Sequence, residues 1–473
     1  MKMSLSYRSG RVALPVALAA MLLGSGLDAA ERPSRGKGKF QPSGPSSLAD
    51  LMGHRADAAN RLMPDVPRVK IDEARVAREG IRKLAGRRLV LYTDLPSSPE
   101  IDALPDAFDQ AFPQWCAYFG IDPADHADWR MTGSLMREKV RFVDAGLLPK
   151  NVPSFQNGYC RNYELWLFEQ PTDYYRRHLL LHEGVHGLMN TLLGGCGPPW
   201  YMEGTAELLS THRWQDGRLT VNHMPIDRDE VPHWGRVRII QDEVAQRRAM
   251  RLPEVVEYSY SAHLNVEPYA WCWAAAVLMD RHPAYQDRFR QLFRNVLQPD
   301  FNERFYAVFK DDWQPLCEQW QLMIASMEYG YDVARTAIDF TPGEPLASDR
   351  LETSIAADRG WQNTGIRLES ETGYRIRAAG RYQLGTEPQT WWCEPGGVTI
   401  RYYGGRPLGI LMAAVRPDNV KNGSVSPLLF PATVGLGTRL TPKTSGTLYL
   451  KINDSPAELA DNAGQVRVLV ERE

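Results

Sequence analysis

His182, Glu183 and His186 fall in the order His-Glu-Gly-Val-His within a stretch of helical spacing. Residues four apart on a helix lie one turn above each other, so His182 and His186 project their imidazoles from one face. Two neutral imidazoles at that spacing fill two corners of a tetrahedral zinc site. Glu183 is turned by about 100° from His182, beside a metal rather than on it, and can take a proton from a water that the metal activates. A catalytic zinc needs a third protein ligand and one open position. Sixteen residues separate His186 from Glu203, which follows Pro198 and Pro199 in a segment that reads as a second helix. Glu203 completes the ligand set. Glu207, one turn further along the same face, is placed to accept the second N–H of a zinc-bound histidine and fix its tautomer. His178, one turn before His182, is expected to stay outside the ligand set.

These side chains need two helices and something to hold them. The first helix is expected over 174–193, with Thr172 or Asp173 as its cap and Gly194-Gly195 at its end. Gly184 and Gly187 inside it cost helix stability, which points to a backbone or a substrate passing close. Upstream, RLVLYTD from Arg88 reads as a strand, and 100–119 as a helix with Leu104, Phe108, Phe112 and Trp115 on one face. A strand is expected from about Val140, and YCRNYELWLFEQ reads as one further β segment. Downstream, 236–250, 268–281, 284–297 and 312–329 read as helices, and the basic run over 236–251 as a solvated helix face.

HEGVH followed at this spacing by WYMEGTAE resembles the gluzincin zinc metallopeptidases, chiefly the peptidase MA-like branch and more distantly the aminopeptidase N type. The resemblance implies a mostly helical zincin-like catalytic domain with a small sheet. It makes Glu203 the third zinc ligand and Glu183 the catalytic acid/base. It also implies a donor to the developing oxyanion, for which Tyr269 is the first candidate and Tyr260 and His212 are alternatives. The GxMEN-type segment with which aminopeptidases of that superfamily hold a free amine is not visible, which tilts the expectation toward an endopeptidase.

Composition changes near Phe340-Thr341-Pro342-Gly343-Glu344-Pro345. Beyond it, short alternating runs such as YRIRAAG, GTLYLKI and GQVRVLVE are separated by turn residues, the pattern of an all-β sandwich. GWQNTGIRLESETGYRIRAAGRY, WCEPGGV, LGILMAAV and SGTLYLKINDSPAELADNAGQVRVLVE resemble the calcium-dependent galactophilic lectins of bacteria. That resemblance implies Ca2+ held by Asp454, Asp461 and Asn462. Glu458 stands where the family uses a threonine carbonyl, and Tyr382 is the residue set against its tyrosine carbonyl.

The bulk composition fits this arrangement. The chain has 473 residues, with 55 basic against 57 acidic side chains and a net charge of −2. That balance gives no reason to expect nucleic acid or an anionic membrane as partner. Lys2, Arg8 and Arg11 precede an apolar run from Val12 to Leu23 and small residues up to Ala30, the layout of a secretory signal. The run is shorter than the roughly 20 residues of a membrane span, so cleavage is favoured over an uncleaved anchor. The expected organisation is therefore α+β: a signal peptide (1–30), a flexible linker (31–46), a metallopeptidase domain (47–344) and a β-sandwich (345–473). Of six cysteines, Cys160 and Cys196 flank the first helix and are the only candidate disulfide pair, while Cys393 is expected to be free. The expected function is an exported, periplasmic or extracellular zinc peptidase with a peptide or protein substrate and a β module for a cell-surface glycan. No membrane span is expected in the mature protein. The alternative is a calcium-dependent carbohydrate-binding protein carrying an inactive zincin fold.

Overall fold

The computed structural model describes residues 68–259, 265–421 and 423–473. The segments read as signal peptide (1–30) and linker (31–46), together with Tyr260, lie outside them. Five strands form the first sheet: β1 (Arg82–Ala85), β2 (Leu89–Thr93), β3 (Met131–Met136), β4 (Gly158–Arg161) and β5 (Glu164–Phe168), in the order β1-β2-β3-β5-β4. The β2/β3 and β3/β5 pairs are parallel, and β1 and β4 close the edges antiparallel. Alternation sends Leu89, Leu91, Met131, Leu135, Leu165 and Leu167 to one face, where α1 (Leu104–Phe119) packs. Tyr92, Met136 and Trp166 point to the other face, into a smaller core with Phe142 and Leu147. The sheet is therefore buried on both sides, as its parallel centre requires.

Helix α2 (Asp173–Leu188) lies on the first of those faces and is buried over nearly its whole length. Thr172 caps it by accepting from the Tyr175 N–H, and a π-turn over Met189–Leu193 carries it to Gly194 at φ 83°. Helix α3 (Pro199–Ser210) follows, with Pro199 in its first position. Helices α4 (Arg236–Ala245), α5 (Glu267–Arg281) and α6 (Trp313–Ala325) complete the layer, with α5 packed against α3, α4 and α6. A β-carbon on Gly204 would meet the Cys272 carbonyl at 2.7 Å, so glycine is what lets α3 and α5 approach this closely.

Several expectations are corrected here. Residues 139–144 form a short helix rather than a strand near Val140, the strand being β3 upstream. YCRNYELWLFEQ is two strands, because Asn162 takes a left-handed φ of 52° and turns the chain into a hairpin. The helix expected over 284–297 breaks into Gln286–Arg290 and a 3-10 turn at Leu292–Asn295. All six cysteines are free and buried. The pairing expected of Cys160 and Cys196 is not made, and each thiol points at an oxygen acceptor, Asn162 O and Asn190 Oδ1.

From Glu344 onward the described chain is β-rich. Strands β6 (Arg350–Ala356), β7 (Gln362–Leu368), β8 (Tyr374–Ala379), β9 (Leu411–Pro417), β10 (Gly446–Ile452) and β11 (Gln465–Arg472) form the bodies of two sheets. One runs β9-β10-β7 and the other β8-β11-β6, each with a short strand at its flank or flanks. Ile355, Leu368, Ile376, Leu450 and Val468 from both sheets share one core, giving a sandwich. It meets the helical part through Glu318 of α6, which is fully buried and takes the Arg416 guanidinium at 2.8 Å. The whole is thus of the α+β class. No helix among the described residues is long and apolar enough to cross a membrane.

Candidate metal centre and active site

Helices α2 and α3 bring His182, His186 and Glu203 to one point. His182 Nε2 lies 3.1 Å from His186 Nε2 and 3.1 Å from Glu203 Oε2, and the latter is 3.5 Å from His186 Nε2. Ligand atoms on a tetrahedral zinc with N/O bonds of about 2.0–2.1 Å stand about 3.3 Å apart, so the three match one face of such a site. Two imidazole nitrogens and a carboxylate oxygen crowded together need a shared cation or proton between them. Glu203 Oε2 is buried without a hydrogen bond, as is His186 Nδ1. Burial opposes the Glu203 charge, but His186 and His182 outweigh it and draw the carboxyl down to about 2. The donor set fits zinc.

A second group, His178, His182 and Glu207, also brings its donor atoms within 4.8 Å. It is a poorer cation site, because Glu207 is already claimed. Arg236 Nε donates to Glu207 Oε2 and Nη2 to Oε1, each at 2.9 Å. Burial opposes ionisation of Glu207, yet Arg236 and the histidines hold it well below the usual carboxylate range. His178 Nδ1 faces the Ser210 carbonyl at 3.2 Å. Glu207 Oε1 is 3.3 Å from His182 Nδ1, near the place expected of its acceptor, but the geometry falls short of a hydrogen bond and Nδ1 is buried without a partner.

Glu183 is buried beside His182, His186 and Glu203, and burial raises its carboxyl above the ordinary range against the pull of His186 and His182. Its close neighbour is edge strand β4, where Gly158 offers no side chain. The other two glycines are packing sites. A β-carbon on Gly184 would meet Phe108 at 2.5 Å and Trp115 at 2.7 Å, and one on Gly187 would meet Met131 at 2.3 Å.

Tyr269 opens α5 with its ring centroid 6.0 Å from that of His182, and burial followed by the nearby carboxylates pushes its hydroxyl pKa upward. Of its alternatives, His212 is spent elsewhere. Its Nδ1 pairs with the Ser210 carbonyl at 2.8 Å and its Nε2 accepts from Arg177 Nε at 3.0 Å. Arg236 is the residue that sequence reasoning missed. The run over 236–251 is not a solvated face at its start: Arg236, Val237, Ile240 and Val244 are buried. Arg236 shares the helix face of Ile240, one turn on, and that spacing is the signal that could have flagged it.

In the sandwich, Asp454 and Asn462 come together: Asn462 Nδ2 donates to Asp454 Oδ2 at 2.8 Å and to the Ala357 carbonyl at 3.1 Å. Asn462 Oδ1 is buried without a partner. Asp461 is exposed, and its carbonyl accepts from Gln383 Nε2 at 2.7 Å. Glu458 is paired with Arg401, and the Tyr382 hydroxyl donates to the Glu394 carbonyl at 3.0 Å.

No protein-family model matches the chain, and no curated protein does. Among solved structures it is similar to the EclA N-terminal domain, a PllA-like lectin, at 24% identity with a TM-score of 0.20, over 26% of this chain and 98% of that one. It is also similar to IMPa from Pseudomonas aeruginosa in complex with an O-glycopeptide, at 14% identity with a TM-score of 0.17, over 57% of this chain and 27% of that one.

Proposed function

We propose that the protein is an exported zinc-dependent peptidase, acting in the periplasm or outside the cell, in a zincin-like fold. The observation that carries this reading is the convergence of His182 Nε2, His186 Nε2 and Glu203 Oε2 at 3.1, 3.1 and 3.5 Å next to a buried glutamate. The resemblance of the HEGVH and EGTAE segments, which carry these same residues, to the gluzincins supports it as well.

His182, His186 and Glu203 hold the metal. When bound, zinc supplies Lewis-acid polarisation of a peptide carbonyl and makes water acidic enough to be deprotonated near neutral pH. Glu183 accepts the water's proton and returns it to the leaving amine. Its burial suits both halves of that task, since a carboxyl raised toward neutrality takes and gives a proton readily. Tyr269 donates a hydrogen bond to the charge that develops on the carbonyl oxygen. Glu207 orients His182. An intact Glu183 argues against a binding-only role for the site, which has no use for a base.

The test is Glu183→Gln. Peptide turnover should fall by about a hundredfold to ten-thousandfold while bound zinc stays at the wild-type level, since the exchange removes a base and no ligand. Unchanged turnover would sink the mechanism, and a wild-type protein that takes up no zinc would sink the metal reading.

For the sandwich we propose calcium binding and attachment to a cell-surface glycan, favoured by one observation, the unpartnered Asn462 Oδ1 buried beside the Asp454 carboxylate. Oxygen ligands of this kind suit a hard cation. Calorimetric titration with calcium should show one site that is lost in Asp454→Ala; absence of heat in the wild type would dismiss it.

A further inference from the structure

Arg236 is 4% exposed and spends its guanidinium inward. Nε and Nη2 grip the two oxygens of Glu207, each at 2.9 Å, and Nη1 donates to the Trp234 carbonyl at 3.1 Å. The centre of the same group lies 5.6 Å from the Tyr269 ring. Glu207 Oε1 in turn stands 3.3 Å from His182 Nδ1, a buried nitrogen with no hydrogen-bond partner for which this carboxylate is within reach. One cation on α4 thus touches a residue of α3 and a residue of α5, and through Glu207 reaches a ligand on α2.

We infer that Arg236 is a positioning residue of the metal centre: its fork fixes the Glu207 carboxylate that orients His182, and its face steadies the ring of Tyr269. This rests on the peptidase reading above. A two-point fork sets the plane of a carboxylate, which a lysine ammonium does not. With that plane fixed, Glu207 Oε1 stays opposite His182 Nδ1, the tautomer with its proton on Nδ1 is held, and Nε2 keeps its lone pair toward the other ligands. Stability alone is a weak reason for the pair, because desolvating two charges costs about as much as their attraction returns. Contact with Tyr269 gives Arg236 a second role that a purely structural ion pair would lack.

The experiment is zinc affinity by chelator competition on the full mature chain, with kcat and KM on a peptide substrate beside it. Arg236→Lys should weaken zinc by about 10–100-fold, the usual cost of losing an outer partner of a ligand. It should lower kcat more than KM changes, with the far-UV spectrum of the metal-free protein unchanged. Zinc affinity equal to the wild type in folded Arg236→Lys overturns the inference alone. A wild type that binds no zinc overturns the metal reading and the inference with it. If Arg236→Lys does not fold, Glu207→Gln and the double variant Glu207→Gln/Arg236→Met carry the test. Equal zinc affinity of those two supports action through Glu207, and a further tenfold loss in the double variant overturns it.

Discussion

A β-carbon built on Gly158 would lie 2.5 Å from Oε1 of Glu183 and 3.0 Å from its Cγ and Cδ. Glu183, the proposed general base, is therefore walled in by an edge strand that has no side chain at the point of contact. Gly158 has no left-handed φ, so alanine is compatible with its backbone, and the group that must yield is the flexible end of Glu183. We expect Gly158→Ala to unfold within about 0.5 kcal/mol of the wild type, as a change that strains no fixed atom should. Turnover should fall about 100-fold, the order of loss for a reacting group displaced by about 1 Å. Unfolding midpoints and kcat, measured with zinc content held equal, decide it. Wild-type turnover in Gly158→Ala would show that the base has room to spare.

Gly184 gives the opposite balance. Alanine there gains about 1 kcal/mol of helix propensity. Its methyl would, however, meet Phe108 at 2.5 Å and Trp115 at 2.7 Å, two rings that are fully buried and have no room to retreat. Overpacking costs about 1–3 kcal/mol, so Gly184→Ala should be net destabilising by roughly 1–2 kcal/mol. Because the helix itself must shift, His182 and His186 move with it and zinc affinity should drop as well. Urea unfolding of the metal-free protein checks the first effect. A stabilised variant would refute the packing argument.

What was legible in the sequence follows from what is local. His182 and His186 share a helix face by spacing alone, and Glu203 and Glu207 repeat that on the next helix, so the whole group could be named before any fold. The alternation of Tyr374–Ala379, buried and exposed in turn, likewise announced a strand. What failed depended on distant chain. Arg236 is buried because α4 packs on α5 and the side chain reaches Glu207 of α3, and a charged residue at a helix start otherwise reads as solvated. The Cys160–Cys196 pairing was argued from position along the chain, whereas each thiol finds its own acceptor in the fold. Val140 and Phe142 alternate like a strand, yet the segment has a single buried residue, Phe142, too little apolar surface to hold it in the sheet. The partners of β10, which are β7 and β9, come from separate parts of the sequence that no local pattern links.

The seam between the helical part and the sandwich rests on a buried charge. Glu318 is 0% exposed and receives Arg416 at 2.8 Å and Ser426 Oγ at 3.0 Å. Removing one partner of such a pair leaves an uncompensated charge and costs about 3–5 kcal/mol. Arg416→Ala should lose stability on that scale. The double variant Glu318→Met/Arg416→Met should recover most of it, since two apolar chains of similar size replace the pair at little cost. Equal losses in the single and double variants would show that the seam does not depend on compensating Glu318.

His282 should make stability depend on pH. It closes α5, is 3% exposed, stacks on Tyr285 at 4.0 Å between centroids and accepts the Ala284 N–H on Nδ1 at 3.2 Å. Burial, against a weaker pull from Gln319, pushes its pKa down to about 4. The unfolded chain protonates this group near its ordinary value of about 6.5. Between those two values the unfolded state binds the extra proton and the folded state does not. Stability therefore falls as the pH is lowered from about 6.5 to about 4, by on the order of 3 kcal/mol in total. His282→Asn keeps an acceptor for Ala284 and removes the titration. Between pH 7 and pH 4.5 the wild type should lose about 2–3 kcal/mol more than the variant in urea unfolding. Parallel profiles would mean that His282 is protonated in the fold and that its acceptor role is not what holds the end of α5.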